Sequence, residues 1–468
     1  MDAESVVERV AAVWDRDALP TLTEYLRIPN RSPAFDAQWA EHGHMARAVE
    51  LVSEWMRRRP IAGLQVSVEQ LEGRTPVIVA EVPGTAPGTV VLYGHLDKQP
   101  EMTGWRDGLS PWEPVRDGDR LYGRGAGDDG YAAFAAMTAI EAVQAAGGTH
   151  ARLLVIIEAS EESGSPDLPA YIDALAGRIG QPDLVVCLDS GCATWDRLWL
   201  TTSLRGLVSI TLTVRLLTEG VHSGAAGGVV PSTFRVLRSL LARIEDAETG
   251  EILVPELHVT IPDERAREID ATSAELGDEI AERFPFVDGA RPVVDAPHVQ
   301  LAAKTWKPAM ELIGIDGVPS VADGGNVQRP FTTARLSFRL PPTCDADAAR
   351  DALVRALEAD PPYGAEVTAT ANEVGFGWNA PPTAPWLAAA VDRASTLAYG
   401  AAACTIGEGG TIPFMAMLGR RFPDAQFVIT GVLGPGTNAH GPNEFLHVPT
   451  ARNVTVAVAT ILDAHATR

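Results

Sequence analysis

The stretch from residue 153 to residue 162, LLVIIEASEE, decides the fold of this chain because an apolar run passes almost directly into adjacent acids. Five aliphatic residues without polar alternation are typical of a strand that is buried on both faces of a parallel sheet. Similar apolar runs occur at residues 77–80, 90–93, 184–188 and 427–430. Helical segments between them, such as Tyr131 to Val143, would cover this sheet. The expected fold is therefore α/β, a mostly parallel sheet with helices on both faces.

The pattern changes near residue 205, where polar and apolar residues begin to alternate. Residues 208–216, VSITLTVRL, alternate strictly, as does a strand with one solvent-facing side. Leu336, Phe338 and Leu340 repeat this pattern, after a helix that we expect from Pro231 to Ile244. A small α+β domain with an antiparallel sheet is therefore expected as an insertion in the α/β domain.

The domain boundaries follow from the length of the chain and from one Pro-rich stretch. A chain of 468 residues is too long for one ordinary core. Residues 381–385, PPTAP, are typical of a short hinge. We expect residues 1–204 and 381–468 to form the α/β domain, and residues 205–380 to form the inserted domain.

Composition excludes several classes of protein. The net charge of −23 argues against binding to nucleic acid or to an anionic membrane, since both need a basic face. The first twenty residues carry five acids and no apolar region of a signal peptide, so a cytoplasmic protein is expected. The four cysteines (Cys187, Cys192, Cys344 and Cys404) are too few for a disulfide framework. Cys187 and Cys192 could be thiolate ligands, but no second close pair accompanies them, so buried thiols are expected at these two positions.

Acids and imidazoles follow the apolar runs in a definite order. They are His95-Leu96-Asp97, Asp128, Glu161-Glu162, Asp189 and, in a loop after Gly434-Pro435-Gly436, His440. His95 and Asp97 would share one face of a strand, which suits a metal-bound imidazole oriented by a carboxylate. Adjacent glutamates are costly unless a positive group lies between them. A pair of divalent ions would resolve this, with one glutamate as ligand and the other as base, as in a two-metal hydrolase.

Each of these motifs also has a simpler interpretation. His95 and Asp97 could be a hydrogen-bonded surface pair, Glu161 and Glu162 a solvated acidic loop, and Asp128 a helix cap. Gly125, Gly127 and Gly130 satisfy the dinucleotide pattern G-x-G-x-x-G. Two aspartates occupy that turn, however, and would repel a pyrophosphate, so nucleotide binding is not expected.

The order and spacing of the five motifs resemble the M20 metallopeptidase family, and specifically its dipeptidase branch related to carnosinase. The resemblance covers nearly the whole chain. It implies that the α/β domain is catalytic and that residues 205–380 form a lid domain, which in this family commonly also carries the homodimer contact. It implies the following roles: His95 and Asp189 hold one ion, Glu162 and His440 hold the other, Asp128 bridges them, Glu161 is the general base and Asp97 orients His95.

The resemblance extends to groups that would contact the substrate. His222 matches a lid histidine that stabilises the oxyanion in the partner subunit's active site. Arg339 matches the arginine that grips a substrate carboxylate, Asn326 lines the same pocket, and Gly410 and Thr411 lie in a glycine-rich loop that binds the substrate's C-terminal end. The branch usually has arginine before this loop, but here the residue is Gly407. Lys98, an unusual charge next to Asp97, could partly compensate.

The predicted function is hydrolysis of an amide next to a free carboxylate, most simply by a dipeptidase, with metal-bound water activated by Glu161. Substrates would be small peptides or N-acyl amino acids. The alternatives are an N-acyl-amino-acid deacylase or carboxypeptidase of the same fold and, in a different class, a non-catalytic metal- or ligand-binding protein. Zn²⁺ suits the mixed imidazole and carboxylate ligands, although Mn²⁺ or Co²⁺ could occupy the same site.

Overall fold

A computed structural model describes residues 1–468, apart from the side chain of Pro413. Its α-helices are α1 (Ala3–Val13), α2 (Leu19–Leu26), α3 (Trp39–His42), α4 (His44–Arg57), α5 (Ala132–Ala145), α6 (Leu168–Ala174), α7 (Ala176–Ile179), α8 (Ser223–Ala226), α9 (Thr233–Leu241), α10 (Asp263–Leu276), α11 (Glu279–Glu282), α12 (Pro297–Trp306), α13 (Ala346–Glu358), α14 (Pro385–Tyr399), α15 (Pro413–Arg421) and α16 (Val448–Ala466).

Its β-strands are β1 (Gln65–Glu69), β2 (Val77–Val82), β3 (Thr89–His95), β4 (Val115–Asp117), β5 (Arg120–Tyr122), β6 (Arg152–Glu158), β7 (Leu184–Cys187), β8 (Trp199–Leu204), β9 (Gly206–Arg215), β10 (Val221–His222), β11 (Ala309–Asp316), β12 (Val327–Gln328), β13 (Phe331–Leu340), β14 (Glu366–Gly375), β15 (Trp378–Asn379), β16 (Cys404–Glu408), β17 (Gln426–Ile429) and β18 (Phe445–His447).

The chain divides into two compact units. The first comprises Met1–Thr202, Ala380–Ile406 and Met417–Arg468, and the second comprises Ser203–Asn379 and Gly407–Ala416. The segment Gly407–Ala416 groups with the second unit, which was not predicted from the sequence, since residues 381–468 were assigned to the first.

The first unit is built on a six-stranded sheet in the order β1-β2-β6-β3-β7-β17. Strands β6, β3, β7 and β17 are parallel, as their continuous apolar runs predict. The apolar run in β2 was expected to be part of the same parallel arrangement, but β2 is antiparallel to β6. It is buried nonetheless, and burial on both faces, not strand direction, is what produces a continuous apolar run. Helix α5 packs against β3 and β6.

A smaller sheet of the first unit has the order β18-β5-β4. In it, Phe445 pairs with Tyr122 and His447 pairs with Arg120. This pairing brings the residues before β18 beside those that follow β5, although more than 300 positions separate them in the sequence.

The second unit contains a four-stranded antiparallel sheet in the order β11-β13-β9-β14. The alternating apolar residues of β9 and β13 face a separate hydrophobic core, which α9 and α13 also line. The alternation seen in the sequence thus corresponds to one buried face. Of the helices in the described part of the chain, none combines the length and apolar character that crossing a bilayer requires.

Candidate metal centre

Three parallel strands carry the acidic groups to one edge of the central sheet. His95 ends β3 and pairs with Glu158 at the end of β6, while Tyr93 pairs with Cys187 at the end of β7. Because the carboxyl ends of parallel strands meet at the same edge, the residues that follow them are neighbours. This topology explains why Asp97, the Glu161-Glu162 pair and Asp189 lie close together in space.

His95 lies at the centre of the acidic cluster. Its Nε2 atom is 3.4 Å from Asp128 Oδ1, 3.8 Å from Asp189 Oδ2 and 3.9 Å from Glu161 Oε2. The ring is completely buried, and no hydrogen bond among the described residues satisfies this nitrogen. A buried polar atom without a partner is costly. A metal ion bound between this nitrogen and the neighbouring carboxylates would satisfy it.

His440 forms the other half of the cluster. Its Nε2 atom lies 2.9 Å from Asp128 Oδ2 and 3.3 Å from Glu162 Oε2. Asp128 therefore directs one carboxylate oxygen to each imidazole. Helix α5 begins only at Ala132, so Asp128 is not its cap. Two groups, His95 with Glu161 and Asp189, and His95 with Asp128 and Glu162, each bring three ligand atoms within 4.8 Å of one another.

Asp97 has a larger part in this arrangement than the sequence predicts. Its carboxylate oxygens accept hydrogen bonds from the backbone N–H groups of Glu161 (3.1 Å) and Glu162 (3.0 Å). His95 Nδ1 lies 3.1 Å from the backbone carbonyl of Asp97 and 3.5 Å from its carboxylate. Asp97 therefore orients the imidazole mainly through its backbone, and its carboxylate fixes the turn that presents both glutamates.

The electrostatics of the cluster favour bound cations. Burial, and next the Asp189 carboxylate, raise the pKa of Glu161 well above its ordinary value. Burial and Asp128 raise the pKa of Glu162 in the same way, and burial raises the pKa of Asp189 to about 6. Burial also acts to raise the pKa of Asp128, but the neighbouring imidazoles of His440 and His95 outweigh it and lower that pKa. Imidazole nitrogens and mutually repelling carboxylates form a donor set that fits divalent ions.

Several residues that hold the ligands were not identified from the sequence. Gln99 donates a hydrogen bond of 2.6 Å to Glu162 Oε2. Arg124 and Glu444 form a buried ion pair beside Asp128 and His440. These residues carry no motif of their own, because their roles depend on contacts between distant parts of the chain.

Lys98 does not serve as a second substrate cation. Its ammonium group is fully buried and donates hydrogen bonds to the backbone carbonyls of Tyr25 (3.0 Å) and Ile28 (2.8 Å). Burial lowers its pKa well below the usual range. Lys98 therefore ties the segment after β3 to the end of α2, and the expectation that it compensates for Gly407 is not supported.

In the second unit, three of the expected substrate-binding groups lie near one another. Arg339 Nη1 donates to Thr411 Oγ1 at 3.3 Å, and Thr411 donates in turn to the backbone carbonyl of Arg205 at 2.6 Å. Gly410 precedes Thr411 in the same loop. Arg205 was not singled out from the sequence. Its guanidinium donates to the carbonyl of Gly409 at 3.1 Å, and burial together with Arg339 lowers its pKa to about 10.

Gly407 has no room for the arginine that the branch usually carries. A Cβ atom at this position would lie 2.6 Å from Ser203 Oγ and 2.9 Å from Thr305 Cβ. Close packing around β16 therefore explains why glycine, and not arginine, occupies this position. Arg205, whose backbone N–H donates to the carbonyl of Glu408, places a different guanidinium beside the same loop.

His222 and Asn326 are neighbours elsewhere in the second unit. His222 in β10 pairs with Val327 in β12, and the N–H of Ser223 donates to the Asn326 carbonyl at 2.9 Å. The side chain of His222 is exposed, so it is accessible to a ligand or to another protein surface.

The chain is similar to known proteins over most of its length. The family model described as peptidase family M20/M25/M40 matches residues 91–464. A cysteinylglycine-S-conjugate dipeptidase of Corynebacterium striatum is 30% identical over 472 residues, covering 95% of this chain and 98% of that protein. A human beta-Ala-His dipeptidase is 26% identical over 379 residues, covering 76% of this chain and 72% of that protein.

Among solved structures, the Saccharomyces cerevisiae di-peptidase Dug1p has the same fold. It matches with a TM-score of 0.78 at 20% sequence identity, covering 100% of this chain and 99% of that chain.

Proposed function

We propose a function for this chain from the premise that it belongs to the peptidase family M20/M25/M40. The chain is thus a peptidase, and we infer that it is a dipeptidase with two divalent ions in its active site. The first unit is the catalytic domain and the second unit is the lid domain. The observation that carries this proposal is His95 Nε2, a buried nitrogen that lacks a hydrogen-bond partner among the described residues and faces three carboxylates.

The proposed ligand sets divide the cluster between two ions. His95 and Asp189 would hold one ion, Glu162 and His440 would hold the other, and Asp128 would belong to both ligand sets. When bound, such ions would polarise the scissile carbonyl and lower the pKa of a water molecule. We propose Zn²⁺ as the natural metal, since it accepts both imidazole and carboxylate ligands.

Glu161 is the proposed general base. Its side chain is 13% exposed, compared with 3% for Glu162, so water can reach it more readily. Glu161 would accept the proton of the attacking water as the new C–O bond forms. It would then deliver this proton to the amine nitrogen as the C–N bond breaks.

The lid groups would bind and orient the substrate. Arg339 would pair with the free carboxylate, while Thr411 and the backbone at Gly410 supply further hydrogen bonds and Asn326 lines the pocket. Arg205 is a second guanidinium beside this loop. His222 would stabilise the oxyanion, and we propose that it does so in the partner subunit of a homodimer. Exposed apolar side chains on the edge strand β11, at Leu312, Ile313 and Ile315, support a protein contact on the lid domain.

The relatives support dipeptides as the substrate class. The C. striatum protein is named for cysteinylglycine S-conjugates and the human protein for beta-Ala-His. In both compounds an amide lies next to a free carboxylate, and Arg339 would recognise that carboxylate.

We further propose a cytoplasmic location, where thiols such as Cys187, Cys344 and Cys404 stay reduced.

A hydrolysis screen tests this proposal. The metal-loaded chain would be offered matched sets of dipeptides, N-acyl amino acids and longer peptides with the same C-terminal residue. We expect the highest kcat/KM with dipeptides. A preference for acylated amino acids would favour a deacylase, and a preference for longer peptides would favour a carboxypeptidase. Metal binding without any hydrolysis would favour a binding protein.

A further inference from the structure

The ion pair between Arg124 and Glu444 lies within the first unit, next to the candidate metal centre. Arg124 Nη1 is 2.6 Å from Glu444 Oε2, and the side chains are only 1% and 0% exposed. A buried ion pair adds little net stability, because removing two charges from water costs about as much as their attraction returns. The remaining contacts of the two residues indicate what else this pair does.

Arg124 holds the loop that carries His440. Its Nη2 atom donates to the backbone carbonyls of His440 (3.1 Å) and Gly441 (2.8 Å), and its Nε atom donates to the carbonyl of Pro100 (3.0 Å). His440 has a φ of 64°, a left-handed conformation that is unfavourable for a residue with a Cβ and persists only where its surroundings enforce it. The fork of donors on Arg124 is one such constraint.

Glu444 holds the turn that carries Asp128. Its Oε1 atom accepts from the backbone N–H groups of Gly127 (3.3 Å) and Asp128 (3.4 Å), while Oε2 binds Arg124. The two side chains therefore connect Asp128 with His440, two groups whose ligand atoms lie 2.9 Å apart. By contrast, His95 ends a central strand, and Asp189 closely follows another.

We propose that Arg124 and Glu444 are positioning residues for one half of the metal centre. They set the distance between Asp128 and His440 and thereby determine the affinity for the ion that Glu162 and His440 hold. The ion held by His95 and Asp189 would share Asp128, but its other two ligands lie at the ends of central strands, so it depends on Arg124 and Glu444 much less. This inference rests on the two-ion centre of the proposed function.

Titration of the metal-free chain with Zn²⁺ alone tests this proposal. Isothermal calorimetry should show two ions per wild-type chain. Glu444→Gln leaves the Arg124 charge without its partner, and Arg124→Lys keeps the charge but loses the fork that reaches His440 and Gly441. Both variants should bind one ion with nearly the wild-type affinity and the other about 10–100-fold more weakly, the usual cost of losing a group that orients a ligand.

Glu141→Gln is the matched control. Glu141 is buried almost as deeply as Glu444, since its side chain is 2% exposed, and it lies 3.6 Å from Arg59. It belongs to α5 in the same unit. Removing the charge of Glu141 should lower the melting temperature and leave both Zn²⁺ affinities unchanged. If Glu444→Gln fails to unfold cooperatively, Arg124→Lys decides, because it retains the charge pair.

Unchanged affinities for both ions in the folded variants would overturn the proposal, as would an equal loss at both sites. A wild-type chain that binds fewer than two ions would contradict the proposed function itself, and the inference with it.

Discussion

At the residue scale, Glu161 and Glu162 show how two adjacent carboxylates acquire different environments. The carboxylate of Glu162 lies 2.6 Å from Gln99 Nε2 and 3.3 Å from His440 Nε2, and the side chain is almost inaccessible. Glu161 is more exposed, and its Oε2 atom lies 3.9 Å from His95 Nε2. Backbone contacts with Asp97 hold both residues in one turn. These differences favour Glu162 as the ligand and Glu161 as the base.

Glu161→Gln should therefore separate catalysis from metal binding. The amide keeps the size of the side chain but cannot accept the proton of water, so kcat should fall by about 10²–10⁴-fold. Metal content and KM should change little. Steady-state kinetics with a dipeptide and metal analysis of the same sample would measure both effects.

The exposed carboxylate of Glu113 supplies the control, since Glu113→Gln should leave kcat unchanged. Near-normal turnover by Glu161→Gln would contradict its role as the base.

At the scale of single elements, strand β16 and the loop after it explain the departure at Gly407. The close contacts with Ser203 and Thr305 leave no space for a side chain. Restoring the arginine of the family pattern should therefore not restore a grip on the substrate.

Gly407→Arg should destabilise the chain by about 1–3 kcal/mol, the usual cost of overpacking, without lowering KM. Thermal unfolding and kinetics with a dipeptide would measure these effects. Gly410→Ala is the stability control, because a Cβ at that position meets no atom within 4 Å. A Gly407→Arg protein of normal stability with a lower KM would show that the position does accept a binding residue.

The elements also show how much the sequence could predict. Apolar runs followed by acids were sufficient to predict the edge of the sheet at which His95, Asp189 and the two glutamates meet, because strand burial leaves a direct pattern. The antiparallel direction of β2 was not predictable, since the same burial gives the same run in either direction.

Longer-range contacts leave no such pattern in the sequence. The positions of Arg124 and Glu444 follow from strand pairing between residues more than 300 positions apart. The packing that excludes a side chain at Gly407 arises from residues of β8 and α12. Neither could be predicted from local propensity or spacing.

At the scale of the whole molecule, the proposed homodimer can be tested by complementation between subunits. If His222 acts in the partner's active site, a mixed dimer of His222→Ala and Glu161→Gln contains one site with both wild-type residues. Random reassociation of equal amounts would give half mixed dimers and so about a quarter of the wild-type activity.

Each variant carried alone through the same unfolding or dilution step is the control and should remain inactive. Mixed dimers that form, as seen by mass spectrometry with one labelled subunit, but have no activity would contradict a site shared between subunits.

The central claim, a peptidase that needs two metal ions, is tested most directly by measuring dipeptide hydrolysis as Zn²⁺ is returned to the chelated protein. The cluster around His95 and His440 predicts no turnover without metal and a maximal rate at two ions per chain. Hydrolysis that persists after the metal has been removed, or that is maximal at one ion per chain, would contradict the account.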